Sequence, residues 1–217
     1  MRKAIIAGAT GLIGSELLKI LLESSDYQEV ISISRREIPV QHKKLVQLII
    51  NFDELEKYTH ALEGDVIFCC LGSTRKKTPD LSVYRMIDHT YPLLLGQIAK
   101  ANAIKQYHLV SAIGANANSS NFYTKMKGET EADLAHLNLP CLHIYQPSIL
   151  TGDRKESRPL EKFSIAVMKV FNPLLFGSLK KYRSIPAATV ASAMYKQSLK
   201  PEKGLYIHPS DHIKNLA

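Results

Sequence analysis

Two side chains in this sequence are spaced for proton transfer. Tyr123 and Lys127 are four residues apart in segment 122–136, whose pattern predicts a helix, so both lie on one face of that helix. A tyrosine ordinarily titrates at about pH 10, and a nearby lysine ammonium favours the phenolate form. The pair could therefore exchange a proton with a substrate oxygen. Ser111, which ends the preceding predicted strand, is a candidate to hydrogen-bond the same oxygen.

The placement of this pair carries more weight than its spacing. A chain with ten tyrosines contains about one Tyr-x-x-x-Lys match by chance. Here the match lies at the start of the helix that follows the predicted strand 107–111. Parallel sheets bind their ligands at this carboxyl end of the strands. The alternative is an ordinary tyrosine and lysine on a helix surface.

A glycine-rich turn near the start of the chain predicts a dinucleotide site. The apolar segment 3–7 is typical of a buried parallel strand, and 15–22 is typical of an amphipathic helix. Between them the chain reads G-x-x-G-x-x-G, so that the backbone can approach a pyrophosphate at the helix N-terminus. The alternative is a turn that only packs a helix on the sheet. The residues predicted to hold the pyrophosphate are Gly8, Thr10, Gly11, Leu12, Ile13 and Gly14.

The end of the second predicted strand, 30–34, indicates which dinucleotide binds. Arg35 and Arg36 follow that strand directly, and the acidic Glu37 comes only after them. An acidic residue at the strand end binds the ribose 2′-hydroxyl of NAD, whereas arginine accommodates the 2′-phosphate of NADP. We therefore expect NADP(H) as the cofactor, with NAD less favoured. The alternative is a solvated basic pair.

Strands and helices alternate along most of the chain. This order predicts an α/β fold with a Rossmann-like, doubly wound parallel sheet. We expect a single domain over residues 1–217, in which 150–217 contribute a small helical lobe on the substrate side. The apolar segment 163–176 could shape the substrate pocket or bury a subunit contact. Strands are predicted at 3–7, 30–34, 45–50, 65–70, 107–111 and 141–145, and further helices at 54–62 and 81–102.

Further cofactor residues are predicted at the carboxyl ends of the strands, where such sheets bind ligands. Asp53 follows the third strand and could accept a hydrogen bond from an adenine amino group. Leu71, Gly72 and Ser73 follow the fourth strand, and Gly72 would let the backbone pass close to the cofactor.

Composition excludes several other classes of function. The formal net charge is +8, but the basic residues are scattered, so no specific nucleic-acid site is expected. The most apolar late stretch, 165–179, is too short to span a bilayer. The three cysteines lie in apolar runs, which is typical of a reducing compartment, and we expect a cytoplasmic protein.

The histidines predict no metal site. His208 and His212 are four residues apart but lack a third ligand, so a solvated C-terminal turn is expected there. His108 and His143 lie in apolar strands and are expected to be hydrogen-bonded core residues.

Longer segments extend the two short motifs over most of the chain, to about residue 199. They are 69–74 (CCLGST), 110–115 (VSAIGA), 119–129 (SSNFYTKMKGE), 146–148 (QPS) and 153–159 (DRKESRP). With the glycine turn, they resemble the short-chain dehydrogenase/reductase superfamily, on its atypical NAD(P)-binding side. More narrowly, the chain resembles the Tat-interactive-protein-like oxidoreductases and their bacterial relatives.

The resemblance implies a Rossmann-like fold, NADPH binding and an active site of Tyr123, Lys127 and Ser111. One position departs from the superfamily pattern, because Ser111 is followed by Ala112 where many members carry a second hydroxyl residue. Two functions are therefore carried forward. The first is an NADP(H)-dependent oxidoreductase of a small carbonyl or alcohol. The second is a weakly active or inactive NADP(H) sensor that acts through a protein partner, and a homodimer is open in either case.

Overall fold

Seven parallel strands form one sheet at the centre of the protein. The computed structural model describes residues 2–152 and 182–217. Its strands are β1 (Arg2–Ala7), β2 (Tyr27–Ser34), β3 (Leu45–Ile49), β4 (Val66–Cys69), β5 (Gln106–Val110), β6 (Cys141–Gln146), β7 (Leu150–Thr151), β8 (Ile185–Pro186) and β9 (Gly204–Pro209). The sheet order is β3-β2-β1-β4-β5-β6-β9, with every neighbouring pair parallel, and β7 pairs with β8 separately.

Helices cover both faces of this sheet. They are α1 (Leu12–Glu23), a 3₁₀ helix (Phe52–Ala61), α2 (Leu81–Arg85), α3 (Tyr91–Ala101), α4 (Phe122–His136), α5 (Ala187–Ser198) and α6 (Ser210–Leu216). Residues of α1, α5 and α6 pack on one face, and residues of the 3₁₀ helix, α3 and α4 pack on the other. A π-helical turn, Met86–Thr90, joins α2 to α3.

The strand sequences explain why both faces are covered. Successive side chains of a strand point to opposite faces. Ile6 therefore joins the core under α1, whereas its neighbour Ile5 joins the core under α3. Both are fully buried. A strand buried on both faces needs mainly apolar side chains on both faces, which accounts for the long apolar runs.

The predicted fold class is confirmed, with local differences. All six predicted strands are present, and α4 spans the predicted 122–136. The long helix expected over 81–102 consists of α2, the π-helical turn and α3. Pro92 lies in the first turn of α3, just after the π-helical turn. Proline has no N–H to donate and is therefore tolerated in the first turn of a helix but not in its interior. The helix expected at 54–62 is a 3₁₀ helix that begins at Phe52.

The sequence analysis missed the seventh strand, β9. It pairs with β6 and places His208 beside the buried His143, with Nε2 of His208 3.0 Å from Nδ1 of His143. The expectation of a solvated turn at His208 is therefore wrong, because the side chain is buried in the sheet. His143 and His108 are buried and hydrogen-bonded, as predicted.

The described C-terminal part packs directly on the glycine-turn half of the sheet. Val190 and Met194 of α5 join the core that contains Leu17 and Leu21 of α1. Two features named from the sequence, the charged cluster at 153–158 and the apolar segment 163–176, lie outside the described residues. Within the described ranges, no helix is long and apolar enough to cross a membrane.

Candidate active site

The glycine turn after β1 is shaped by close backbone contacts. Gly8 has a φ of +84°, and a Cβ built there would lie 2.5 Å from the carbonyl oxygen of Cys70. A Cβ at Gly14 would lie 2.1 Å from the carbonyl oxygen of Gly8. No side chain larger than hydrogen fits at either position without moving backbone. These glycines therefore let α1 start directly against the end of β1, as the dinucleotide motif requires.

The N-terminus of α1 has open donors for an anion. Gly11 is its N-cap residue and makes no side-chain cap bond, and the first turn carries no acidic residue. The first N–H groups of a helix have no partner within the helix, and the helix dipole is positive there. Thr10 and Gly11 are exposed at this point. These features fit a pyrophosphate.

The adjacent strand ends carry the residues predicted to face the adenosine half. Arg35 and Arg36 follow β2 directly and are both exposed. Asp53 is also exposed, and its carboxylate accepts a hydrogen bond from the Tyr91 hydroxyl. Burial, and then this bond to Asp53, raise the pKa of Tyr91 to about 12, whereas the charge of Arg35 acts in the opposite direction. An arginine, a carboxylate and a phenol thus lie together at this edge of the sheet.

The loop after β4 is tied to the helices beyond it. Gly72 is exposed, and the N–H of Ser73 donates to Oδ2 of Asp88 at 2.7 Å. The Ser73 hydroxyl lies 2.5 Å from the hydroxyl of Thr78, and the Ser73 carbonyl accepts a bond from the Tyr84 hydroxyl at 3.4 Å. This loop is therefore held in place by hydrogen bonds to Asp88, Thr78 and Tyr84.

The Tyr123–Lys127 pair sits at the start of α4. Asn121 caps this helix, and its side-chain oxygen accepts from the N–H of Tyr123 at 3.0 Å. Tyr123 is 37% exposed and its ring is stacked on that of Tyr84, with ring centroids 6.4 Å apart. The two predicted residues thus differ in exposure, because Tyr123 is accessible and Lys127 is buried.

Lys127 is paired with a buried carboxylate. Its Nζ lies 3.0 Å from Oδ1 of Asp88, and the two residues are only 4% and 1% exposed. Burial disfavours the charged lysine, but the charges of Asp88 and Tyr123 outweigh it and raise the pKa of Lys127 above its ordinary value. The lysine is therefore a fixed cation within reach of Tyr123.

Ser111 lies at the end of β5 but is already hydrogen-bonded. Its hydroxyl donates to Glu131 of α4, whose carboxylate also accepts from Nε2 of Gln146 at 2.9 and 3.0 Å. Burial raises the pKa of Glu131, and the bonds from Ser111 and Gln146 oppose that shift. The neighbouring Ala112 is buried. The serine thus ties α4 to the ends of β5 and β6.

Three residues that the sequence analysis did not select complete this region. Asp88 and Tyr84 come from the long helical segment before β5, and Glu131 comes from α4 itself. A signal existed for Glu131, because it lies four residues after Lys127 and thus on the same face of the helix. Tyr84 and Asp88 are also four residues apart, in the predicted helix 81–102, but nothing in that spacing links them to Lys127.

The described residues contain no cluster of histidine, cysteine and carboxylate side chains that could hold a metal ion. The three cysteines, at positions 69, 70 and 141, are free thiols. Burial raises the pKa of Cys69 and Cys70, which makes them poor nucleophiles.

Related sequences identify the family. The NAD(P)H-binding family matches residues 8–158. The protein HTATIP2 of Rattus norvegicus is 34% identical over 207 residues, which cover 94% of this chain and 84% of that protein. The mitochondrial protein FMP52-1 of Scheffersomyces stipitis is 33% identical over 181 residues, or 80% of this chain and 79% of its own.

Solved structures share the fold at lower identity. The oxidoreductase ylbE from Lactococcus lactis superimposes with a TM-score of 0.67 at 20% identity, covering 99% of this chain and 96% of that one. MoeE5, in complex with UDP-glucose and NAD, gives a TM-score of 0.72 at 14% identity, covering 95% of this chain and 75% of that one. The matched range, 8–158, spans the positions of the glycine turn and of the tyrosine–lysine pair. The chain therefore belongs to the NAD(P)H-binding family, in which HTATIP2 is one of its homologues.

Proposed function

We propose that this protein is an NADP(H)-dependent oxidoreductase that acts on a small carbonyl or alcohol substrate. The observation that carries the proposal is the placement of Tyr123 and Lys127. An accessible phenol and a buried ammonium lie on one helix, at the edge of the sheet where the glycine turn opens. Dinucleotide enzymes bind their ligands at this edge.

The cofactor would lie along the carboxyl ends of the strands. It supplies a hydride for a carbonyl carbon, or takes one from an alcohol, when bound. The turn glycines and the α1 N-terminus hold the pyrophosphate, the two arginines the 2′-phosphate, and the loop after β4 the nicotinamide side. The residues assigned to binding are Gly8, Thr10, Gly11, Leu12, Ile13, Gly14, Arg35, Arg36, Asp53, Leu71, Gly72, Ser73, Tyr123 and Lys127.

The chain's own chemistry is the transfer of one proton. In carbonyl reduction, the Tyr123 hydroxyl donates its proton to the substrate oxygen, and in alcohol oxidation the phenolate takes that proton back. Lys127 orients the nicotinamide ribose and stabilises the negative charge that develops on the phenol. Ser111 supports the substrate oxygen, provided that its hydroxyl turns away from Glu131 when substrate binds.

The hydrogen bond of Ser111 also favours a second candidate function. Because this hydroxyl is engaged by Glu131, and Ala112 has no hydroxyl to replace it, the site as it stands offers one fewer donor to a substrate oxygen. The protein would then bind NADP(H) and signal through a protein partner or a second copy of itself. A cytoplasmic location stays a prediction under either function.

One substitution separates the two functions. Tyr123→Phe removes the hydroxyl and keeps the ring that stacks on Tyr84, so we expect NADPH affinity to stay within about threefold of wild type. NADPH oxidation with a panel of aldehydes and ketones should fall by about 100-fold or more, because the proton donor is lost. Binding is measured by calorimetry and turnover by the loss of absorbance at 340 nm.

A matched variant controls for the loss of a phenol. Tyr206→Phe removes a hydroxyl that donates to the carbonyl oxygen of Lys203, at the opposite end of the sheet, and should leave turnover unchanged. If wild type binds NADPH but reduces no aldehyde or ketone in the panel, the sensor is favoured. If wild type binds neither NADPH nor NADH, both candidate functions are wrong.

A further inference from the structure

Three aromatic rings form an apolar surface at the start of α4. The ring of Tyr84 packs against two neighbours, with its centroid 6.0 Å from that of Phe122 and 6.4 Å from that of Tyr123. Tyr84 is buried, whereas Phe122 and Tyr123 are each 37% exposed. Tyr84 therefore forms the base of this surface, and the two exposed rings are accessible to a ligand. We call these three residues the aromatic shelf.

The aromatic shelf includes the proposed proton donor. A substrate whose oxygen reaches the Tyr123 hydroxyl is therefore brought next to this surface. Aromatic side chains attract other flat rings, in offset or edge-to-face contacts with centroids about 4.5–7 Å apart. The exposed rings of Phe122 and Tyr123 thus favour a substrate with a flat apolar body.

A cation lies beside the aromatic shelf. Arg75 is exposed in the loop after β4, two residues after Ser73, whose carbonyl oxygen accepts a bond from the Tyr84 hydroxyl at 3.4 Å. The charge of Arg75 acts on the Tyr84 phenol. The charges of Tyr123 and Lys127 act on the same group. Arg75 therefore lies close to the end of the site that contains the tyrosine–lysine pair.

The guanidinium of Arg75 has no carboxylate partner among residues 2–152 and 182–217. Two acidic residues of the neighbouring helical segments are engaged by other cations. Asp88 pairs with Lys127 at 3.0 Å. Glu129 pairs with Arg85 at 2.5 Å. A guanidinium binds a carboxylate through two parallel, charge-assisted hydrogen bonds, so Arg75 is suited to an acidic group on a ligand.

We propose that the substrate is a flat, largely apolar carbonyl compound that carries a carboxylate, with its ring against Phe122 and Tyr123 and its carboxylate on Arg75. The inference rests on the proposed function and adds the substrate class. Aromatic aldehyde acids and keto acids have both features. A short aliphatic aldehyde lacks the ring, and a neutral aromatic aldehyde lacks the charge.

The first test compares two aldehydes that differ in charge and hardly in shape. The probes are 4-formylbenzoate and 4-formylbenzamide, each reduced at saturating NADPH. In wild type the acid should have a KM about tenfold below that of the amide. Arg75→Ala should remove this difference by raising the KM of the acid, while the KM of the amide stays within about twofold. Equal KM values in wild type, or an equal change for both probes in the variant, would overturn the proposal.

The next residue of the loop provides the matched control. Lys76 is also exposed, and Lys76→Ala removes the same charge as Arg75→Ala. It should leave the KM ratio of the two probes as it is in wild type. An equal loss in both variants would indicate general attraction of anions by the loop and contradict the proposal. NADPH affinity should stay within about twofold in Arg75→Ala. If it falls as far as the affinity for the acid, Arg75 belongs to the cofactor site and the proposal is wrong.

Binding of unreactive analogues tests the ligand class without turnover. Neither 4-methylbenzoate nor 4-methylbenzamide has an aldehyde, and their binding to the protein is measured by ligand-observed NMR. Wild type should bind the acid about tenfold more tightly than the amide. Phe122→Leu removes the flat ring but keeps an apolar side chain, so it should weaken the acid by about fivefold. Unchanged binding in Phe122→Leu would contradict the role of the aromatic shelf.

These two readouts separate this inference from the proposed function. A protein that binds 4-methylbenzoate in this way but reduces no aldehyde contradicts the oxidoreductase and supports the ligand class. A protein that reduces aldehydes without preferring the acid supports the oxidoreductase and overturns the inference.

Discussion

The proposed choice of NADP(H) over NAD(H) depends on two arginines at the end of β2. Both side chains are exposed at the edge of the sheet, and Arg35 is close enough to affect the hydroxyl of Tyr91. A guanidinium recognises phosphate through paired, charge-assisted hydrogen bonds, which NADH cannot form because its ribose carries a hydroxyl instead. The proposed preference for NADPH would therefore be a property of these two residues and could be removed on its own.

Replacing Arg35 and Arg36 together by alanine should weaken NADPH binding by about 10- to 100-fold, which corresponds to the loss of one charged hydrogen bond of about 1.5–3 kcal/mol. NADH affinity should change by less than about threefold, since the arginines have no phosphate to bind there. Calorimetric titration of each nucleotide measures both values. Equal weakening of NADPH and NADH would contradict the NADP assignment.

A second pair of basic residues provides the control. Lys200 and Lys203 lie next to the amino end of β9, remote from the carboxyl edge, and alanine at both removes the same charge. This double variant should bind NADPH as wild type does. A similar loss in the control would indicate long-range attraction of an anionic ligand and no specific phosphate site.

At the residue scale, the sequence predicts which side chains lie together only when their spacing places them on one face of the same helix. Tyr123 and Lys127 are predicted together because residues four apart lie on the same face of an α-helix. Asp88 is not found, because its contact with Lys127 joins residues that are far apart in sequence and meet only when α4 packs beside the π-helical turn. The hydrogen bond from Ser111 to Glu131 could not be predicted for the same reason. The position of Ser111 follows from the sequence, but its contact with Glu131 depends on how α4 packs against the strand ends.

The packing of α1 on β1 depends on a glycine that has no room for a side chain. A methyl group at Gly14 would lie 2.1 Å from the carbonyl oxygen of Gly8, which belongs to the turn proposed to bind the pyrophosphate. Because this neighbour is backbone, it can move only if the turn itself changes shape. We therefore expect Gly14→Ala to affect stability and cofactor binding together.

Gly14→Ala should lower the free energy of unfolding by about 3 kcal/mol or more, at the upper end of the cost of an inserted methyl group, and NADPH binding should become undetectable. Gly96→Ala is the control, since Gly96 also lies within a helix and gains the same helix propensity. Its methyl group would meet Cδ2 of Leu134 at 2.4 Å, the movable end of a side chain, so a cost of about 1 kcal/mol is expected. Urea denaturation measures both, and equal costs would contradict the argument.

At the element scale, the sequence predicts every buried central strand and the length of α4, because long apolar or periodic segments carry a strong signal. It misses β9, an edge strand with two exposed apolar residues, Leu205 and Ile207, and a histidine that reads as polar. The burial of that histidine becomes favourable only through its bond to His143 on the neighbouring strand. Likewise, the π-helical turn before Pro92 is not predicted, because it depends on how α3 packs against the sheet.

At the scale of the whole molecule, a stack of imidazoles lies at the β5, β6 and β9 side of the sheet. His108 and His143 are stacked with ring centroids 4.5 Å apart, and His143 is hydrogen-bonded to His208. Burial, and then the charges of neighbouring histidines, lower the pKa of His143 to about 3 and that of His208 to about 4. The same causes hold the pKa of His108 well below its ordinary value. All three are therefore neutral in the folded protein at pH 7.

This stack should make the fold sensitive to mild acid. In the unfolded chain each histidine binds a proton as the pH falls through about 6.5, whereas in the folded protein it binds none until about pH 4 or below. Stability is therefore fully present above pH 7 and should decline by up to about 1.4 kcal/mol per pH unit for each histidine as the pH falls from 6.5 to 5. Urea denaturation across this range measures the slope. His208→Gln should reduce the slope by the share of one histidine, because it removes one of the buried imidazoles. Equal slopes in wild type and His208→Gln would mean that His208 is not held neutral by the fold.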